Sequence, residues 1–498
     1  MSYVIGVDGG TESLRAAIFD LAGHPVASAA VAYATRFPEP AQAEQDPEDW
    51  WRALGGAVRE ARAKAGVAPA DIAAIAVDTT CCSVIALDAA DAPVHPALIW
   101  MDVRAAEEAA RVGATGDPAL RVNGDGASPV SAEWMLPKAL WLKTHRPEAW
   151  ARAVRVGEYQ DYLNLRLTGR WAGALNNAVI RWHYQTDHGG VPTSLLAALD
   201  LAELAERWPQ PFIPPGGIVG GLTGAAAEHL DLRPDTPVVQ GGADALIGVI
   251  GLGVTEPGEM ALITGSSHLQ LGVARGPRHA AGFWGTYKDA LYPGKSIIEG
   301  GQTSTGSIIA WFKRHFAAET DYETLNALAA DRPIGADGLM VLDHFQGNRT
   351  PYTDAASRGA ITGLTLAHDE GHVFRAIMEG IAMGTRVIVD AFGDAFSAER
   401  IVVAGGATNS PLWLQIHADA LGAPIERTEV ADAPLLGCAI LAAHGAGHYA
   451  SIEEAVGAMV RTAETVTPNP KAVAAYEELL PRYRALYHAL ADMRRAGG

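Results

Sequence analysis

An acid, two glycines and two hydroxyls interrupt apolar sequence at Asp8-Gly9-Gly10-Thr11-Glu12-Ser13. Gly9 and Gly10 let backbone approach a ligand closely, and Thr11, Ser13 and the backbone N–H groups of the turn can donate to phosphate oxygens. An ionised Asp8 donates nothing to phosphate, so its place beside those donors makes sense if a divalent cation lies between them, held directly or through water. Arg15 adds a positive charge to the same turn. The plainer alternative is a β-hairpin whose Gly and Asp only satisfy turn geometry.

Two later turns repeat the choice of residues. Thr264-Gly265-Ser266-Ser267 has the same glycine and hydroxyls, and with the first turn it would clamp a polyphosphate. Gly405-Gly406-Ala407-Thr408-Asn409 lies between an apolar strand and a helical stretch, where a flat base and ribose can rest on backbone without side chains. Asp244 stands alone among Gly and apolar residues in "QGGADALIGVIG". A carboxylate there is a helix N-cap, a base tuned by apolar surroundings, or both. Two other motifs fail on inspection. "YPGKS" (292 to 296) ends like a Walker A loop but has Asp289 where the first Gly belongs, and "HDEGH" (368 to 372) lacks the acid placement of a zinc helix.

The elements that must carry these turns are legible as pattern. Residues 3–8 and 14–19 read as strands joined by a tight turn, 24–34 as a third strand, 48–66 as a helix stopping at Gly66, and 72–88 as strand on both sides of a polar centre. "GEMALITGSSHLQLGVA" (258 to 274) echoes the opening of the chain, so a second domain of similar plan is expected from about residue 250. Two such α/β domains can face each other across a cleft.

Bulk properties narrow the class. A chain of 498 residues exceeds one ordinary core, and 49% hydrophobic with 19% charged residues is a globular composition. The formal charge of −19 opposes attraction to nucleic acid or an anionic membrane, so a phosphate ligand needs local donors. Three cysteines, Cys81, Cys82 and Cys438, make no disulfide framework. No signal peptide or membrane span is read, and a cytoplasmic location is expected.

With these pieces in order, the chain resembles the FGGY family of carbohydrate kinases, within the actin-like ATPase superfamily. "GAITGLTLAHDEGHVFRAIMEG" (359 to 380) fits the second family signature, and "EWMLPKALWLK" (133 to 143) keeps Lys138 and Trp141 of the first. The resemblance implies an α/β fold of two ribonuclease-H-like domains, 1–250 carrying the sugar site, first phosphate motif and base, and 251–498 carrying the second phosphate and adenosine motifs. It implies ATP and Mg2+ as co-substrate and cofactor, with Asp244 as catalytic base and Asp8 toward the metal. Gly10, Thr11, Ser13, Arg15, Gly265, Ser266, Ser267, Gly301, Gln302, Gly306, Gly405, Gly406, Ala407 and Asn409 fall toward the nucleotide. Several segments look most like the pentulose-handling, ribulokinase-type branch, among them "DTTCCSVIALD" (78 to 88), "IWMDVRA" (99 to 105) and "IRWHY" (180 to 184). The sugar candidates are Thr80, Cys81, Trp100, Asp102, Glu133, Arg181 and Glu299. Trp100 has a core alternative, Asp102 and Arg104 a simple ion pair, and Arg181 a solvated strand position. Ribulose is the first substrate expected, with D-xylulose, ribitol or erythritol next; a non-catalytic actin-like ATP-binding protein or a sugar-sensing protein is the rival class. The small sugar is the expected partner, nucleic acid and membrane are not, and a homodimer is compatible with the family.

Overall fold

Apolar stretches broken by glycine turns form the two largest of five sheets in the computed structural model, which describes residues 2–496. The chain divides into two compact units. Unit 1 comprises the chain up to Thr255 together with Thr286–Ile297 and Asp432–Val460; unit 2 comprises Glu256–Gly285, Ile298–Ala431 and the chain from Arg461.

Unit 1 is organised on a six-stranded sheet in the order Ile218–Gly221, Pro237–Ala243, Ile72–Thr79, Tyr3–Gly9, Ser13–Asp20, Pro25–Ala32. The first strand pairs antiparallel with Ser13–Asp20, placing Asp8 opposite Arg15, and parallel with Ile72–Thr79, placing Asp8 beside Asp78 and Gly9 beside Thr79. Ala243 in turn lies beside Thr79. Three parallel strands therefore end together, and the residues just past their carboxyl ends, Gly10, Thr80 and Asp244, share one edge. That edge is where open α/β sheets bind ligands.

Helix Pro47–Ala65 covers one face of this sheet. Asp46 caps it and Gly66, at φ 65°, ends it in the left-handed region. Its Trp50 is fully buried, stacks on Tyr159 at 3.8 Å between ring centroids, and donates its indole N–H to Gln45 Oε1 at 2.8 Å. Helices Asp244–Gly251 and Ala433–Gly445 meet at unusually close range. A Cβ on Gly251 would lie 1.9 Å from the carbonyl of Ala433, and one on Gly437 2.2 Å from that of Ile247. Glycine at both contacts fixes the helix that begins with Asp244.

Unit 2 repeats the plan. Its seven-stranded sheet runs in the order Gly285–Lys288, Ser296–Gln302, His268–Ala274, Glu259–Thr264, Arg400–Gly405, Ile425–Thr428, Thr462–Val466. The hairpin of Glu259–Thr264 with His268–Ala274 corresponds to the opening hairpin of unit 1, and Arg400–Gly405 runs parallel beside it with Gly405 next to Thr264. Both units thus carry a hairpin turn and a parallel strand end on one sheet edge. Helices Gly306–Phe316, Tyr322–Ala330, Glu370–Phe392, Pro411–Leu421 and Pro470–Ala496 belong to unit 2.

The two rejected motifs have structural duties. His372 forms a capping box with Asp369 at the start of helix Glu370–Phe392, its second ring nitrogen 3.1 Å from Asp337. In "YPGKS", Lys295 donates to the Thr255 carbonyl at 2.9 Å. Among the described residues no helix is long and apolar enough to cross a membrane.

Candidate active site

Four carboxylates and one guanidinium gather at the edge of the unit 1 sheet. Arg15 bridges Asp8 and Asp432 as an ion pair with each. Asp8 is buried, and its Oδ1 has no hydrogen-bond partner. Asp78, fully buried, accepts from the Cys438 thiol at 3.3 Å, while its Oδ1 is also without a partner. Burial first, and then the charges of Asp8 and Asp244, hold the Asp78 carboxyl well above the ordinary carboxylate range.

Asp244 is the first residue of its helix. The N-cap is Ala243, so the N-cap role expected for Asp244 shifts by one residue, and its Oδ1 accepts from the Ala245 N–H at 2.6 Å. Burial and the neighbouring Asp8 charge push its pKa up to about 7, against the opposing pull of that N–H and of Arg15. A carboxylate poised there is half ionised at neutral pH, as a general base requires.

The opening turn is braced from the core. Gln45 Nε2 donates to the Thr11 carbonyl at 2.7 Å, continuing the contact from Trp50, and the Tyr33 hydroxyl donates to the Gly10 carbonyl. The Trp100 indole N–H donates to Thr11 Oγ1 at 2.9 Å. Because Thr11 accepts there, its own hydroxyl proton is left to point elsewhere. Trp100 is 39% exposed, which excludes the core reading for it.

The turn Thr80–Ser83 leads from the Ile72–Thr79 strand to the short strand Val84–Leu87. Thr80 donates its N–H to the Gly9 carbonyl at 3.0 Å, and its hydroxyl lies 3.1 Å from that of Ser83. Two buried side chains pin Cys82: Glu158 accepts from its N–H at 2.9 Å, and Lys138 donates to its carbonyl at 2.8 Å. Lys138 also donates to the carbonyls of Leu98 and Ile99, so this residue of the first signature holds two loops. Arg181 is the last residue of helix Leu175–Arg181 and 9% exposed, not a solvated strand residue as its alternative reading had it; it donates to the Tyr287 hydroxyl at 2.6 Å. Asp102 is fully buried, with its oxygens taken by Arg104 and the Ala43 N–H, so the ion-pair alternative describes its contacts. Glu133 is half-buried just before helix Met135–His145, whereas Glu299 belongs to unit 2.

Unit 2 holds a pocket of about 390 Å³ lined by Gly265, Ser266, Gly306, Gly406, Ala407 and Asn409 of the expected nucleotide residues. Its apolar wall comes from Ile309, Phe374, Met378 and Trp413. Thr264 ties the two turns together, donating to the Ala404 carbonyl at 2.7 Å and accepting from the Ala407 N–H at 3.0 Å. Apolar walls beside glycine turns suit a heteroaromatic base continued by a phosphate chain. Gln302 differs from expectation. Its amide is spent on Asp343, Ile381, Gln270 and Thr385 in a buried network, and neither it nor Gly301 lines the pocket; Ser267 and Gly405 lie beside it in the turns.

Gly405 has φ 93° and ψ −160°, and a Cβ there would fall 1.8 Å from the Thr264 carbonyl oxygen. Only glycine occupies that backbone region at low cost. Gly405→Ala is therefore expected to weaken binding of a non-hydrolysable ATP analogue about 10- to 100-fold, a loss of roughly 1.4–2.8 kcal/mol, read by titration calorimetry. Gly457→Ala is the control, because it is exposed on helix Ile452–Met459, away from the pocket lining, and a Cβ there meets nothing within 4 Å. Equal affinity in both variants would contradict the assignment.

Sequence reasoning passed over Asp78, Asp432 and Cys438 in unit 1 and Tyr322, Asn326, Phe374 and Met378 around the unit 2 pocket. For Asp78 a signal existed: "AVDTT" ends its strand as "GVDGG" ends the first, and the parallel register sets the two acids side by side. The pocket wall residues sit on ordinary amphipathic helices and carry no comparable mark.

Residues 3–251 match the N-terminal domain, and residues 260–446 the C-terminal domain, of the FGGY family of carbohydrate kinases. The chain is 32% identical to a ribulokinase of Geobacillus thermodenitrificans, over 97% of this chain and 94% of that one. It is 29% identical to a xylulose kinase of Bacillus subtilis, over 100% and 99%. The crystal structure of xylulose kinase from Rhodospirillum rubrum superposes with a TM-score of 0.89 at 29% identity, covering 99% of each chain.

Proposed function

Because the chain belongs to the FGGY family of carbohydrate kinases, we propose that this sugar phosphotransferase moves the γ-phosphoryl group of ATP to a terminal hydroxyl of a small open-chain ketopentose, ribulose first. The observation that carries this reading is Asp244, a carboxylate with its pKa near 7 at the strand edge where Thr80 and Gly10 also lie. Asp244 takes the proton of the attacking hydroxyl as the oxygen bonds to phosphorus in line with the departing ADP oxygen. Thr80, Cys81, Trp100, Glu133 and Arg181 orient the sugar, and the unit 2 pocket receives the adenosine. Thr11, Ser13 and the backbone of the turn at Gly10 donate to phosphate oxygens.

The residues present fit a magnesium ion. Asp8 offers a buried, unpartnered Oδ1, a hard oxygen donor. That is the donor set of an ion that keeps its waters and leans on one carboxylate and on phosphates. When bound, Mg2+ neutralises charge on the phosphates.

D-xylulose is the second reading, favoured by the likeness to xylulose kinases in sequence and in structure. A coupled ADP-release assay over ribulose, D-xylulose, ribitol and erythritol separates these. Turnover stimulated at least tenfold by a ketopentose is expected, with smaller stimulation by the polyols. Absence of stimulation by every sugar and polyol tried removes the kinase reading.

A further inference from the structure

We infer that Cys81 and Cys82 form a bidentate capture site for trivalent arsenicals. The two thiols are free, sit on adjacent residues and have their sulfurs 3.8 Å apart. Cys82 adopts φ 61°, a left-handed conformation unusual for a residue with a side chain, and its backbone is clamped at both polar atoms by the buried Glu158 and Lys138. The turn is therefore rigid, and it presents both sulfurs together, Cys82 buried and Cys81 half-buried.

That rigidity selects the chemistry. A disulfide needs its sulfurs at about 2.05 Å and usually Cα atoms about 4.4–6.8 Å apart. Adjacent residues hold their Cα atoms at about 3.8 Å, and the clamped turn resists the backbone change that closure demands. A larger, soft atom spanning two thiolates needs no such change, and thiolates are the ligands soft centres prefer. With an organoarsenic oxide, both S–H bonds and the As=O bond break, two As–S bonds form, and the two protons leave with the oxygen as water; arsenic stays trivalent. Cys438 cannot substitute. It is buried alone, 3.3 Å from Asp78 and 3.4 Å from the Val7 carbonyl.

The test is intact-mass spectrometry of the full chain after exposure to phenylarsine oxide. One adduct per chain is expected, retained in excess monothiol and stripped by 2,3-dimercaptopropanol. Cys438→Ser should keep the adduct, and Cys81→Ser and Cys82→Ser should each lose it. Cys81→Ser alters only a half-buried side chain, so it serves if Cys82→Ser fails to fold. No adduct on the wild type, or a dithiol-sensitive adduct surviving in Cys81→Ser, overturns the site. Resting on the kinase reading, the adduct would also stand on the sugar wall beside Thr80 and raise the apparent KM for ketopentose at least tenfold while ATP binding holds. An adduct that leaves this KM unchanged removes Cys81 from the sugar wall. Capture by a chain that, before treatment, shows no sugar-stimulated turnover removes the kinase reading and leaves the dithiol site standing.

Discussion

Asp244→Asn is expected to lower kcat by about 10²- to 10⁴-fold, the range lost with a general base, while the KM values for sugar and ATP change less than threefold. Asn keeps the size of the carboxyl and can still accept from the Ala245 N–H, but it cannot take the hydroxyl proton. The wild-type enzyme should show an acidic limb in kcat/KM with an apparent pKa near 7, because only ionised Asp244 is the base. A variant that retained full activity, or one whose acidic limb persisted unchanged, would remove Asp244 from the reaction.

The same substitution should stabilise the protein. An Asp in the unfolded chain titrates near 3.9, while Asp244 in the folded protein titrates near 7. Between these values the native state holds a proton that the unfolded state has released, so this residue's contribution to stability falls as pH rises through that window. Below the window both states are protonated and the variant gains nothing; at pH 7 and above the gain is fullest. The rise from near 3.9 to about 7 corresponds to about 4 kcal/mol, and because Asn still leaves a polar amide in the same buried place about 1–2 kcal/mol of it is expected as gain. That is a few degrees in Tm for a domain of this size, and thermal unfolding at pH 4 and pH 8 would expose the difference. Loss of activity together with a gain in Tm marks a strained functional group, because a damaged fold loses both.

The actin-like two-domain fold was legible because its strands announce themselves locally. "YVIGVDGG" and "MALITGSS" are each an apolar run ended by glycine and hydroxyls, and their strands fall within a residue or two of the pattern. Less legible was the return of Asp432–Val460 to unit 1, because nothing in an Ala-rich helix states which sheet it covers. The glycines of "ALIGVIG" become intelligible only once Gly251 is seen against Ala433. In the site, turns were easier to read than walls. Gly405 and Gly306 are required by close backbone approach, which glycine advertises; Gln302 was placed toward the nucleotide by the resemblance alone, and its amide is spent in a buried network. Asp102 was ambiguous in sequence for the same reason, since its partner Arg104 supports either reading until burial is known.

Arg15→Met is expected to be the most damaging change in the unit 1 cluster. Met roughly keeps the length and apolar stem but withdraws the cation that joins Asp8 to Asp432. Removing one partner of a buried ion pair costs about 3–5 kcal/mol, because the other charge is left unpaired; Arg15 is 41% exposed at its side chain, so about 2–3 kcal/mol is the reasonable expectation. The kinetic signature is more diagnostic than the loss itself. Arg15 holds down the pKa of Asp244, so without it the acidic limb of kcat/KM should move upward in pH, and activity at pH 7 should fall further than activity at pH 9. Arg15→Lys should restore part of the stability by supplying a charge, yet restore less of the bridge, since one ammonium does not reproduce the two-pronged contact to Asp8 and Asp432. An Arg15→Met enzyme whose acidic limb stays at its wild-type position would show that the guanidinium acts on the fold alone, and that Asp244 owes its pKa to burial and Asp8.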